Sequence, residues 1–220
     1  MISRESEAAF WNQADTVHYF ASKGFNPQVA ARVGALGIGK GTAALDLGCG
    51  GGRHAELLAK AGFSTTAVDA NLAMLARTRQ RTAHLSKRVS LVKADISHIP
   101  MTENTFSLVI STGVLHQARS AVGMNQAVGE VARATKKGGI FVGNIFVSDI
   151  WDDTYTIPDP KRPEFVETKE RVGMTLVDTG RAMEMFEQNG FRFETDPTIT
   201  SKQENTGPRG VLHFSAELTR

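Results

Sequence analysis

The most constraining stretch of the chain is Ala43–Arg53, a short apolar run that ends in Asp46-Leu47 and enters the glycine loop Gly48-Cys49-Gly50-Gly51-Gly52. The run is a strand by pattern. The next segment, Arg53 to Gly62, is a helix by pattern, with Leu57, Leu58 and Ala61 on one side and Gly62 at its C-terminal end. Strand, glycine loop, helix is the opening of a nucleotide-type βαβ unit. Glycines let the backbone turn tightly and approach a ligand with no Cβ in between, and the helix behind them offers unpaired N–H groups and a partial positive charge.

The loop is not the dinucleotide fingerprint. Gly48 and Gly50 fit G-x-G-x-x-G, but the third position holds Arg53. The fitting pattern is G-x-G-x-G, with Gly48, Gly50 and Gly52, preceded by Asp46. Three more acids or loops come at the spacing of successive strand ends. Phe63–Asp69 is β-branched and closes on Asp69, 19 residues past Gly50 (69 − 50), where a carboxylate at the second strand tip accepts from two vicinal ribose hydroxyls. Val89–Ile96 is a third strand carrying Asp95 near its end. Thr105–Ser111 is a fourth, leading into Thr112-Gly113-Val114-Leu115-His116-Gln117. Together these resemble the class I S-adenosylmethionine (SAM) methyltransferases, strongly over residues 40–147 and loosely elsewhere. The chain is most similar to the compact small-molecule members, such as the tellurite-resistance and quinone-biosynthesis types.

That resemblance implies an α/β fold: a seven-stranded, mostly parallel, Rossmann-like sheet with an antiparallel last strand and helices on both faces. It implies SAM as cofactor, held by Asp46, Gly48, Cys49, Gly50, Gly52, Asp69, Ala70, Asp95, Ile96 and Ser111, with Asp95 and the Ile96 N–H reading the adenine edge. A small-molecule acceptor would attack the methyl in line. Two departures stand out: Ser107 where many members have Asp, and Gln117 where a second His is common. His116 is either an oriented pocket or core histidine or the first candidate base, and Tyr19 is the second candidate; no metal ligands are assigned. The D/N-P-P-Y sequence of nucleic-acid amino methyltransferases is absent from the fourth loop. A nicotinamide-dependent oxidoreductase and a non-catalytic SAM-binding subunit stay open as alternatives.

The rest of the chain is organised around this core. Residues 1–40 carry Phe10, Trp11, Tyr19, Phe20 and Phe25 and are expected to form a helical lid, with a further helix opened by Pro27. A helix is expected over 121–137, stopped by Gly138-Gly139, then a fifth strand over 140–147. Residues 148–177, rich in turns and charge, are expected to be a substrate-covering insert, in which Trp151 and Tyr155 line an aromatic pocket and Asp152-Asp153 attract a cationic substrate. Residues 178–220 form a helix from Thr179 to Asn189 and two strands, 191–195 and 210–218, around a polar loop.

Composition narrows the class. The 220 residues are 41% hydrophobic, enough for one domain's core, and no apolar run approaches the roughly 18 residues of a membrane span. Cys49 is the single cysteine, so no internal disulfide forms, and the polar first ten residues do not resemble a signal peptide; a cytoplasmic location is the default expectation. The net charge of +2 recruits no acidic partner. Arg77, Arg79, Arg81, Lys87 and Arg88 lack the interleaved aromatics of a nucleic-acid surface and read as a solvated helix face, so neither nucleic acid nor membrane is expected as a partner. Nothing in the sequence fixes an oligomeric state.

Overall fold

The computed structural model describes residues 4–37, 41–152, 156–168, 172–204 and 207–220. Two short helices, α1 (Arg4–Asn12) and α2 (Ala14–Ser22), precede α3 (Pro27–Ala35), which Asn26 caps by accepting from the Gln28 N–H, with Pro27 in its first turn. The core then alternates: β1 (Ala43–Leu47), α4 (Arg53–Lys60), β2 (Ser64–Asp69), α5 (Leu72–Arg81), β3 (Val89–Lys93), β4 (Phe106–Thr112), α6 (Ala121–Ala134) and β5 (Thr135–Trp151). Three short strands come next, β6 (Thr156–Asp159), β7 (Arg162–Thr168) and β8 (Gly173–Thr175), then α7 (Thr179–Gln188), β9 (Phe191–Phe193), β10 (Thr198–Glu204) and β11 (Gly207–Leu218).

The main sheet has the order β10-β11-β5-β4-β1-β2-β3, with β9 also on β11. β9 pairs with Ala216–Leu218 and β10 with residues 207–213, so both lie end to end along the same edge of β11. The sheet therefore has seven positions, and β11 alone runs against the others. β1 alternates sides because a strand has a period of two: Leu45 and Leu47 enter the cluster under α6 and α7, while Ala44 enters the one under α3 and α4. The result is a three-layer α/β/α domain whose topological switch lies between β1 and β4, where the first crossover changes side.

Several elements differ from their expected bounds. Helix α6 ends at Ala134, not 137: the Thr135 hydroxyl donates back to the Val131 carbonyl, and the next residues enter β5, which runs 17 residues to Trp151. The insert is a three-stranded antiparallel sheet, β6-β7-β8, rather than irregular chain. Its Val166, Met174 and Leu176 pack on Phe146 and Trp151, the long outer half of β5. The polar stretch after Thr200 is the hairpin β10–β11, so the C-terminus has three strands where two were expected.

Candidate active site

The loop after β1 is built by glycine at left-handed backbone angles, Gly48 at φ 69° and Gly50 at 52°. The two positions have opposite needs. A Cβ on Gly48 would lie 2.2 Å from Val114, so this glycine lets the loop pack on the segment after β4. A Cβ on Gly50 would meet nothing within 4 Å: it would stand in open cavity. Gly51 lies against α2, where a Cβ would come within 2.4 Å of the Ala21 backbone. The lid is thus seated directly on the loop.

That cavity has a volume of about 1460 Å³. Of the expected site residues, Tyr19, Gly48, Cys49, Gly50, Asp69, Ala70, Asp95, Ile96 and His116 line it. Asp46, Gly52 and Ser111 stand behind this lining. Asp46 is 2% exposed behind the loop, on the α4 side of β1, because strand alternation turns it away from Leu47. Gly52 caps α4, and its Cα faces Thr78 of α5. Ser111 is buried in the sheet.

Asp69 closes the cavity's acidic end. Its Oδ2 accepts from the Gly50 N–H (2.8 Å) and its Oδ1 from the Asn71 N–H (2.9 Å), and the Ala70 backbone N–H also donates to the carboxylate. Burial nonetheless holds its carboxyl above the usual range. Burial also pushes Asp46 up to about 7, against the Ala55 backbone hydrogen bond and the Arg53 charge, which lower it. The Cys49 thiol is raised by burial and by both acids, so it is an inert neighbour rather than a nucleophile. Asp95 holds a tight turn, its Oδ1 accepting from the N–H and hydroxyl of Ser97. A rim of acids suits a cationic ligand that carries hydroxyls.

In the sequence Arg53 reads only as a departure from a dinucleotide pattern. It lines the cavity, with Nη1 donating to the Gly24 carbonyl (3.1 Å) and Nη2 to Thr112 Oγ1 (3.3 Å). Arg81, expected to be solvated, instead donates to Gly51 O (3.2 Å) and Lys23 O (3.3 Å) and pairs with Glu56. His54 completes the tether. Its Nε2 accepts from the Asn26 N–H (3.1 Å), which leaves Nδ1–H to donate to Thr112 Oγ1 (3.3 Å). Residues 23–26, which join the lid to α3, are thereby pinned across the glycine loop by three side chains.

His116 does not have the surroundings of a base. It is 1% exposed, stacked on Phe146 with ring centroids 4.1 Å apart. Its Nδ1 accepts from the Phe146 N–H (3.3 Å), so the neutral ring carries its proton on Nε2. Burial, aided by the Arg209 charge, lowers its pKa to about 3. At neutral pH the ring is a donor with its basic nitrogen occupied, the surroundings of an oriented core histidine rather than of a proton acceptor. Tyr19 stands at the lid, 46% exposed, with the Lys23 ammonium 4.1 Å above its ring. Trp151 and Asp152 do not line the cavity, and Asp153 and Tyr155 lie outside the described residues.

Comparison with known proteins agrees with this geometry. A family model described as a methyltransferase domain matches residues 45–143. Residues 45–143 thus carry a methyltransferase-domain pattern, which fits the SAM-dependent class that the sequence resembles. The chain is 30% identical over 172 residues to a sterol 24-C-methyltransferase of Schizosaccharomyces pombe, covering 75% of this chain and 43% of that one. It is 36% identical over 109 residues to a demethylmenaquinone methyltransferase of Mycolicibacterium paratuberculosis, covering 49% and 43% respectively. The chain thus spans about half, or less, of the length of the curated relatives it matches. Among solved structures, a SAM-dependent methyltransferase from Methanosarcina mazei superposes with a TM-score of 0.70 at 15% identity, over 90% of this chain and 100% of that one. The cyclase SpnF superposes at 0.67 with 15% identity, over 96% and 86%. One fold therefore serves methyl transfer and cyclisation alike, and the reaction has to be argued from the site. No described helix is long and apolar enough to cross a membrane.

Proposed function

We propose that the chain transfers the methyl group of SAM to a small-molecule acceptor enclosed between the lid, the inserted sheet and the C-terminal hairpin. The observation that carries this reading is one continuous cavity of about 1460 Å³, larger than the roughly 300–1,000 Å³ that a single small-molecule ligand fills. Its volume supports two ligands side by side.

The residues at the glycine-loop end suit the cofactor. Asp69 offers its carboxylate to the ribose hydroxyls. Asp95 and the Ile96 N–H meet the adenine edge. Gly50 lets the methionine portion approach the backbone, and Arg53 is the cation at hand for its carboxylate. Asp46, set behind the loop, acts through the Ala55 backbone hydrogen bond and Arg53 rather than by contact with the cofactor. When bound, SAM supplies a methyl activated by sulfonium, and the acceptor atom's bond to carbon forms as the carbon–sulfur bond breaks, sulfur keeping the pair. The lid aromatics Phe10, Trp11 and Phe20 exclude water, so the acceptor is aligned in a dry site, which is where most of the acceleration of such a displacement arises. His116 contributes a fixed Nε2–H donor that orients an acceptor oxygen or nitrogen. Tyr19 is the side chain positioned to receive an acceptor's proton, where the acceptor has one to lose.

Incubation of the purified chain with SAM and a panel of phenols, amines, thiols and carboxylic acids, with S-adenosylhomocysteine (SAH) release as readout, tests this. Release that depends on one acceptor class supports it. SAM binding without release from any class would favour a binding subunit instead.

A further inference from the structure

The two ends of the cavity differ in charge: the cofactor end and the α1–α2 segment mix acids with the cations Arg53 and Lys23, whereas the charged residues of the far wall are cations alone among the described residues. The cavity's acids are Asp69 and Asp95 at the cofactor end and Asp15 in the lid. The far wall, formed by the segment before α6, by β5, the inserted sheet and the hairpin, contributes Arg119, Lys202 and Arg209 and no acid among the described residues. His213 faces the same space; burial lowers its pKa and its Nε2 pairs with Thr200 Oγ1 at 2.9 Å, so it adds no negative charge.

Arg209 is set for recognition rather than solubility. It is 8% exposed on β11, and its guanidinium lies 4.9 Å from the Phe146 ring and 5.6 Å from that of Trp151. Phe146 in turn stacks on His116 at 4.1 Å. Imidazole, phenyl ring and guanidinium thus form one stack beside the Nε2–H donor. A guanidinium stacked on aromatics is weakly hydrated, and its planar set of five N–H donors matches the geometry of oxygen anions. Lys202 is exposed on β10 at the mouth and adds a long-range attraction. Around these cations the wall mixes the apolar Phe146, Val172, Met174 and Val211 with the polar Asn144, Thr168, Thr200 and Ser201. This is the reverse of the cationic substrate suggested by Asp152-Asp153, since Asp152 does not face the cavity.

We propose that the acceptor is an amphipathic anion: an aromatic or aliphatic body laid along Phe146, Val172 and Met174, with a carboxylate or phosphoryl group toward Arg209 and Lys202. The inference rests on the methyl-transfer reading of the cavity and narrows it to a substrate class. It asks Arg209 for one more hydrogen bond among its five donors, alongside the contacts it already makes.

The test is calorimetry on protein saturated with SAH. Octanoate is compared with 1-octanol, and 1-naphthoate with 1-naphthalenemethanol; octyl phosphate separates a phosphoryl from a carboxylate preference. The expected result is that at least one anion binds about fivefold or more tighter than its uncharged analogue, and that the preference shrinks in 0.5 M salt (about 4 Å Debye length). Lys202→Gln and Arg209→Gln should lower that anion's affinity several-fold while leaving the alcohol and SAH unchanged; Lys202, being exposed, keeps the test open if Arg209→Gln fails to fold. Anion and alcohol binding alike, binding of neither, or tighter binding of octylamine overturns the proposal. Saturation with SAH is measured first, so a failure of the cofactor site is seen separately from a failure of the anion preference.

Discussion

Gly48 and Gly50 belong to one loop and have the same backbone sign, yet substitution at the two should fail in different ways. Alanine at Gly50 takes on the left-handed penalty of about 1–2 kcal/mol, and its Cβ meets no protein atom within 4 Å. For a domain of this size that is a loss of about 2–8 °C in melting temperature. Its methyl enters the space assigned to the cofactor, so SAH affinity should fall by at least about tenfold, or 1.4 kcal/mol. Alanine at Gly48 bears the same backbone penalty, and its Cβ would sit 2.2 Å from Val114. Overpacking adds about 1–3 kcal/mol, so the total is about 2–5 kcal/mol and the melting temperature falls further than in Gly50→Ala. Thermal denaturation of both variants, with and without SAH, reads the two effects separately: Gly50→Ala should lose most of the shift that SAH produces in the wild type. Wild-type SAH affinity in Gly50→Ala, to within twofold, would refute the placement of cofactor against this loop. A Gly48→Ala protein as stable as Gly50→Ala would refute the role of the Val114 contact.

Loss of Arg81 removes the hydrogen bonds by which it ties Lys23 to Gly51, at about 1 kcal/mol each, so trypsin should cleave after Lys23 in Arg81→Ala about 5–30 times faster than in the wild type; an unchanged rate would mean the tether is held elsewhere. His54 and His116 both have folded pKa values of about 3 against 6.5 for the free side chain, so the unfolded chain takes up protons first and stability should fall as pH drops from 6.5 toward 3; nitrogen-15 signals of His116 that titrate near 6.5 would contradict its placement. Asp46, raised to about 7 from 3.8, has the opposite sign: the unfolded chain gives up this proton first, so stability falls as pH climbs from 3.8 to 7. Asp46→Asn should therefore gain on the wild type by about 1–3 kcal/mol more at pH 8 than at pH 5 in urea unfolding, and an equal difference at both pH values would exclude a buried ionisation.

The core was legible because its signals are local. A strand of period two, a glycine loop and an acid at or just past a strand end are short patterns; β1, β2 and β4 fall within a residue of where these put them, while β3 stops at Lys93, two residues before Asp95. The hidden features depend on tertiary placement. Asp46 directly precedes Leu47, which lines the cavity, yet strand alternation turns the acid behind the loop; only the packed sheet shows which face each takes. Arg53, His54 and Arg81 act through carbonyls and an amide about 30 residues or more away, contacts with no local signature. The role of His116 turns on one backbone N–H from β5, 30 residues on. The inserted sheet and the β10 strand were concealed by prolines, charges and turn residues, which mark loops on propensity but are overridden here by antiparallel pairing.

Every functional reading above depends on SAM binding at the loop between β1 and α4, together with Asp69. Calorimetric titration of the wild type and of Asp69→Ala with SAM and SAH tests it most directly. One site per chain is expected, with micromolar affinity for both ligands, weakened in Asp69→Ala by about 1–3 kcal/mol, the cost of leaving buried polar partners unpaired. Absence of heat from both ligands, or an Asp69→Ala protein that binds them as tightly as the wild type, would contradict it.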